Sequence, residues 1–170
     1  MVDSQVQFEQ LYRAYADRVH AYALRRTSAA AADDVVAEVF VVVWRRLDRV
    51  PEEPLPWLYG VARRVVANRR RSESRAAALH ERLADGRPAP EPPVVSPEVD
   101  DRVQRALAGL SERDRELLLL IAWEGLRVNE AAQALGVRSG TLAVRLHRAR
   151  QRLARALAEE DVQIEMEVRT

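Results

Sequence analysis

The chain has 170 residues, no cysteine, and a net charge of +1 carried by 27 arginines against 26 acids, with no lysine. That length suits one ordinary domain or two small ones, and the missing cysteines exclude disulfides and thiolate metal sites. Its apolar runs fall short of a membrane span and the opening MVDSQVQFEQ lacks a signal-peptide pattern, so the expected location is the cytoplasm, without membrane insertion.

A first helix is expected over about 5–26, because Phe8, Leu11, Tyr15, Val19 and Tyr22 recur three and four residues apart. Thr27 and Ser28 mark its end. A second helix is expected from Ala32 or Asp33 to Leu47. Its VFVVVW run has the composition of a strand, but Val35, Val39, Val42 and Val43 fit a helical stripe and charges frame the segment. DRVPEEPLP at 48–56 reads as a loop held by three prolines. Trp57 then opens a third helix. Trp57, Leu58, Val61, Ala62 and Val65 form its apolar side, while Arg63, Arg64, Asn68, Arg70 and Arg71 fall mostly elsewhere. Trp44 and Trp57 have the chemistry to stack on unpaired bases, but both fall on apolar faces, which favours core packing over that role. From Ser72 the pattern fades, and GRPAPEPPVVSP reads as an extended linker.

The second half opens with a short apolar face of Val99, Val103, Ala106, Leu107 and Leu110. Ser111 is a good N-cap, with Asp114 placed to complete a capping box. LLLLIAW gives a buried helix ended at Gly125. A helix over 129–135, Gly136, and a helix from Ser139 to about Ala158 follow. Arg127 has no acceptor for a cap hydrogen bond, so the cap is expected to shift to Asn129. Ala132 is small where two helices approach, Gly136 tolerates positive φ, and Val137 plugs the turn. Leu142, Leu146, Ala149 and Leu153 line one side of the last helix, completing a helix-turn-helix. Arg138, Ser139, Thr141, Arg145 and Arg148 are expected on the other side, where such a helix meets base edges in the major groove. Arg150, Arg152 and Arg155 are assigned to the DNA backbone or to solvent. The acidic segment 159–170 is short enough to be disordered.

The fold class is thus all-α: two small helical domains joined by a Pro-rich linker, the C-terminal one a helix-turn-helix. The expected boundaries are 1–75, a linker over 76–98, 99–158, and an acidic tail over 159–170. Charge is unevenly distributed, with net −2 over 1–44, +5 over 45–82, −4 over 83–101, +6 over 102–158 and −4 over 159–170. Two cationic blocks around an acidic tether point to two nucleic-acid-facing patches. Asp33, Asp34 and Glu38 are the only tempting carboxylate group. No histidine, cysteine or phosphate-cradling glycine loop joins them in sequence, and His20, His80 and His147 are scattered, so no catalysis, metal or cofactor is expected.

ALRRTSAAAADDVVAEVFVVVWRRLDRV, followed by LPWLYGVARRVVANRRRSESR, resembles region 2 of the extracytoplasmic-function (ECF) group of bacterial sigma factors, small members of the sigma-70 family. LAGLSERDRELLLLIAWEGLRVNEAAQALGVRSGTLAVRLHRARQRL resembles region 4. Together they cover nearly the whole chain. The resemblance implies a transcription initiation subunit that binds core RNA polymerase, recognises −35 and −10 promoter elements and promotes DNA melting. It implies docking, mainly on the β′ clamp helices and also on the β flap, with Asp34, Glu38, Phe40, Trp44 and Arg45 on the docking helix. It implies −10 contacts for Asp48, Arg49, Val50, Arg63, Arg64, Asn68 and Arg71, with a flipped base near the first three. It implies −35 contacts for Arg138, Ser139, Thr141, Arg145 and Arg148, a linker threaded into the polymerase, and an anti-sigma factor as a common partner. Three departures from the family pattern are Ala37, where a glutamine is usual, Arg127, where Ser or Thr is usual, and Ala131, where a larger aliphatic is usual and a looser helix-turn-helix core is therefore expected. The competing class is a stand-alone helix-turn-helix regulator; binding to core polymerase separates the two.

Overall fold

The computed structural model of the chain describes residues 2–81 and 100–168, and every regular element among them is helical. The chain divides into two compact units, Met1–Pro93 and Val94–Thr170. The first contains α1 (Val2–Leu24), α2 (Ala29–Arg45), a 3-10 turn at Leu47–Arg49, and α3 (Pro54–Glu81). The second contains α4 (Asp101–Ala108), α5 (Glu112–Ala122), α6 (Val128–Leu135) and α7 (Ser139–Val168).

The VFVVVW run is helical, as its stripe requires. Ala32, Val35, Val36, Val39, Phe40 and Val43 are buried, at the alternating spacing of three and one that one helix face produces. α2 begins earlier than expected because Ser28 caps it rather than ending α1: the Ser28 hydroxyl accepts from the Ala31 amide at 3.3 Å. α3 likewise begins at Pro54, not Trp57. Pro54 and Pro56 sit in its first turn, where amides have no intrahelical partner and proline removes nothing. At its far end α3 runs to Glu81, past the expected fade at Ser72 and into the stretch expected as linker. RRRSESRAAALHE has no apolar stripe, but it is rich in Arg and Ala, which favour helix without one. Residues 82–98 of the expected linker, and Val99, lie outside the described residues. α7 similarly extends beyond Ala158 through most of the acidic segment. Glu160 there accepts from Arg105 Nε of α4 at 2.6 Å, so this segment begins as an ordered helix docked on its own unit.

In the first unit Val19, Tyr22 and Ala23 of α1 and Leu58, Tyr59, Val61, Ala62, Val65 and Val66 of α3 join the buried side of α2. Burying each large aliphatic side chain contributes about 1.5–3 kcal/mol. Tyr22 and Tyr59 stack at 5.1 Å. The end of α1 is closed by its own arginines. Arg25 Nη1 donates to the Ala21 carbonyl at 2.7 Å, and Arg26 Nη1 to the Tyr22 carbonyl at 3.0 Å. The buried Arg26 guanidinium also lies 3.6 Å over the Tyr22 ring, a cation–π contact.

The second unit closes around Leu107, Leu117, Leu120, Leu126, Leu142, Leu146 and Ala149. Ser111 caps α5 as expected, accepting from the Asp114 amide at 3.2 Å. The α6–α7 turn has the geometry its glycine implies. Gly136 has φ 68°, its amide donates to the Gln133 carbonyl at 3.2 Å, and the Val137 amide reaches the Ala132 carbonyl at 3.0 Å. These two bonds form a Schellman motif. Ala131 is fully buried beside Ala132, so the small side chain is accommodated without opening the core to solvent.

The cap of α6 does not shift to Asn129. Arg127 remains the N-cap, and the missing acceptor is offset from the other direction: Glu130 accepts from the Arg127 amide at 2.6 Å and from its guanidinium at 2.7 and 3.0 Å. The Arg127 side chain, then its amide, hold the Glu130 carboxyl below its ordinary pKa against the effect of burial.

Candidate nucleic-acid and protein interfaces

On α2, Asp34, Glu38, Trp44 and Arg45 are exposed, and Ala37 and Val41 complete the outward stripe. Val41 escaped the sequence reading because it sits inside an apolar run in which Val39, Phe40 and Val43 turn inward. Trp44 is corrected from a core residue to a surface one. It is 51% exposed, with its ring edge-on to Phe8 at 5.2 Å. Phe40 is corrected in the opposite sense. At 3% exposure it cannot itself lie on the free face; it packs between Phe8 at 6.1 Å and Tyr12 at 4.7 Å and props the face from below.

The two acids are not unpaired. Arg69 of α3 reaches both, with Nη1 3.1 Å from Asp34 and Nε 2.7 Å from Glu38, which also accepts from Nη2. Burial opposes the charge on Arg69, but hydrogen bonds and attraction from Glu38, then Asp34, outweigh it and raise its pKa. The third acid, Asp33, does meet a histidine in space, His20 Nε2 at 3.2 Å. The pair is surface-exposed, and among the described residues no group of three or more His, Cys, Asp or Glu side chains could hold a metal ion.

The 3-10 turn exposes Asp48 and Arg49, which pair loosely at 3.9 Å, and half-buries Val50. Along α3, Arg64, Asn68 and Arg71 are exposed together with Arg75, which the sequence reading missed. Positions i, i+4, i+7 and i+11 lie in one line on a helix, and that spacing was the available signal. Arg64 Nε donates to the Gly60 carbonyl at 3.1 Å, and Asn68 Oδ1 accepts from Arg71 Nη2. Arg63 is half-buried, with its Nε unpaired. Arg70 is corrected. It continues the buried stripe of Val65 and Val66, and its Nη2 donates to the Arg26 carbonyl at 2.8 Å, tying α3 to the end of α1. Its guanidinium is committed inward rather than to phosphates.

In the helix-turn-helix, Arg138, Ser139, Thr141 and Arg148 are exposed and Arg145 is half-buried. At 100° per residue Arg138, Thr141, Arg145 and Arg148 flank the buried line of Leu142, Leu146 and Ala149. The direction opposite that line is taken by Gly140, Val144, His147 and Gln151, all exposed. Arg150 and Arg155 are exposed, as expected. Arg152 is corrected: its Nη1 lies 2.5 Å from the carboxylate of Asp114, a buried acid at the start of α5. Asp114 therefore anchors α7 instead of completing the box at Ser111.

No helix among the described residues is long and apolar enough to cross a membrane. The exposed chemistry is thus two cationic helical surfaces, one on each unit, and a mixed acidic and aromatic face on α2.

The family described as Sigma-70 region 2 matches residues 11–76, and Sigma-70, region 4 matches residues 100–153. The ECF RNA polymerase sigma factor SigL of Mycobacterium tuberculosis is 32% identical over 155 residues, covering 88% of this chain and 88% of that protein. SigE of Mycolicibacterium smegmatis, another ECF sigma factor, is 31% identical over 159 residues, covering 89% of this chain but 62% of its own length. Among solved structures, CnrH in complex with the cytosolic domain of CnrY is similar, with TM-score 0.60 and 26% identity over 89% of this chain and 88% of that one. The sigma factor RpoE in complex with the anti-sigma factor NepR from Bartonella quintana shares the fold, with TM-score 0.66 and 24% identity over 89% of this chain and 96% of that one.

Proposed function

Because the chain belongs to the ECF group of sigma-70 family RNA polymerase sigma factors, non-catalytic proteins of promoter recognition and transcription initiation, we propose that its two units divide that work between polymerase and the two promoter elements. The α2 face of Asp34, Glu38, Val41, Trp44 and Arg45, propped by Phe40, docks on core polymerase, mainly on the β′ clamp helices. The turn at Asp48, Arg49 and Val50 and the α3 line of Arg64, Asn68, Arg71 and Arg75, with Arg63 beside it, engage the −10 element and assist melting. Arg138, Ser139, Thr141, Arg145 and Arg148 of the second unit read the −35 element, and that unit also meets the β flap. On this reading the expected segments 1–75 and 99–158 are the polymerase-plus-−10 and −35 domains, joined through 76–98. The observation that carries the proposal is the pair of separate cationic helical surfaces, on units matching regions 2 and 4 in that order. An anti-sigma factor is a further proposed partner, in keeping with the RpoE–NepR complex among the similar structures.

Transcription from mapped start sites, with purified core polymerase on genomic fragments, tests the division of labour. Promoter-specific binding should depend on core enzyme, because two tethered weak modules gain affinity only when their spacing is set. Equal promoter affinity with and without core enzyme overturns it. For the docking face, Asp34→Ala with Glu38→Ala should weaken core binding. Arg69→Met breaks the same internal ion pairs while leaving both acids, so it should preserve core binding. Equal loss in both variants would assign the acids to internal structure alone.

A further inference from the structure

We infer that Val144 is a specificity-determining residue that reads the C5-methyl group of a thymine in the major groove, with Gly140 clearing its approach. This rests on the proposed role of α7 at the upstream promoter element and deepens it.

α7 turns Leu142, Leu146 and Ala149 into the core. The direction opposite them falls on Gly140 and Val144, one turn apart. Val144 is 54% exposed, the most exposed large apolar side chain among the described residues. Ala143 beside it is exposed as well. A β-branched residue is a poorer helix former than alanine or arginine, and at this exposure the fold gains little packing from it.

Gly140 points the same way. It has no positive φ, and a Cβ added there would meet nothing within 4 Å. Neither backbone conformation nor internal crowding calls for glycine, which is a weaker helix former than alanine. What the missing side chain supplies is room for another molecule to approach the backbone. It also leaves the two methyl groups of Val144 uncovered from the preceding turn.

The chemistry on the DNA side is selective. Among the four bases, only thymine presents a methyl group on its major-groove edge, and small apolar side chains meet it by contact rather than by hydrogen bonding. Thr141 and Arg148 flank Val144 at i−3 and i+4 and supply the polar contacts to neighbouring bases or phosphates. The helix therefore offers one apolar reading position framed by polar ones.

The test uses holoenzyme assembled from the full chain and core polymerase. The upstream element is selected from a randomised duplex library. Each thymine in it is then replaced by deoxyuridine, which removes the methyl group and leaves the base-pairing edge unchanged. Binding should fall about fourfold at one thymine, the size expected for burying a single methyl group. In Val144→Ala, with thermal unfolding showing the variant folded, the same replacement should have no effect. Insensitivity to deoxyuridine at every thymine overturns the inference, as does sensitivity that persists in Val144→Ala, or a selected element without thymine on either strand. Failure of the underlying reading is distinguishable: the holoenzyme then selects no upstream element, or Arg148→Ala leaves the selected element and its affinity unchanged, and the inference falls with its premise.

Discussion

Replacing Arg152 by alanine separates a DNA contact from a structural one. The Asp114 carboxylate is 7% exposed and its partner Arg152 is 52% exposed. Removing the arginine leaves a buried acceptor without its cation. Removing one partner of a fully buried ion pair costs about 3–5 kcal/mol. The exposed half of Arg152 shows that water reaches the site, so the lower range for an unsatisfied buried acceptor applies, about 1–3 kcal/mol. Taking about 1.5 kcal/mol, a domain of this size should lose roughly 6–12 °C in melting temperature. Arg148→Ala removes an exposed arginine and should change stability by less than about 0.5 kcal/mol. Scanning calorimetry of the full chain, following the transition of the C-terminal unit, reads both. Asp114→Leu combined with Arg152→Met removes both charges and should recover much of the loss, since replacing a whole ion pair by apolar groups is often near neutral. If Arg152→Ala melts like the unaltered chain yet binds every duplex more weakly, Arg152 is a phosphate contact and the Asp114 anchor is refuted.

Arg70→Ala should destabilise the first unit by about 1 kcal/mol through its hydrogen bond to the Arg26 carbonyl, whereas Arg71→Ala should leave unfolding unchanged and reduce the salt dependence of holoenzyme binding by about one unit of slope; the opposite pattern would exchange their roles. Glu130 has a lowered folded pKa, so its contribution is present above the unfolded carboxylate value, about 4.3, and is lost as pH falls through the folded value. The melting-temperature gap between the unaltered chain and Glu130→Gln should therefore be full at neutral pH and close in acid; a gap independent of pH would refute the Arg127–Glu130 cap. Gly136→Ala should destabilise the second unit by about 1–2 kcal/mol, because a Cβ is unfavourable at φ 68°, and this is read by the same calorimetry.

Sequence periodicity was sufficient where burial alone decides the outcome. The stripes through Val35, Val39 and Val43, through Leu58, Val61, Ala62 and Val65, and through Leu142, Leu146 and Ala149 specify amphipathic helices, because apolar side chains must share one face to leave water. Gly136 after Ala132 specifies the turn for a local reason as well, since glycine accepts positive φ without steric cost. The exposed lines Arg64, Asn68, Arg71 and Arg138, Thr141, Arg148 follow as the remainder of those helices. Tertiary structure decided what each arginine does. Arg64, Arg69, Arg70 and Arg71 read alike in sequence, yet Arg69 is held by two acids 31 and 35 residues away and Arg70 by a carbonyl 44 residues away. Arg152 looks like Arg150 and Arg155 until α5 brings Asp114 against it. A long cationic side chain can serve solvent, phosphate or a buried acceptor, and only the packed neighbours determine which of these its reach satisfies. The same holds for aromatics: Phe40 and Trp44 lie one helical turn apart, and the packing of α1 buries one and leaves the other at the surface.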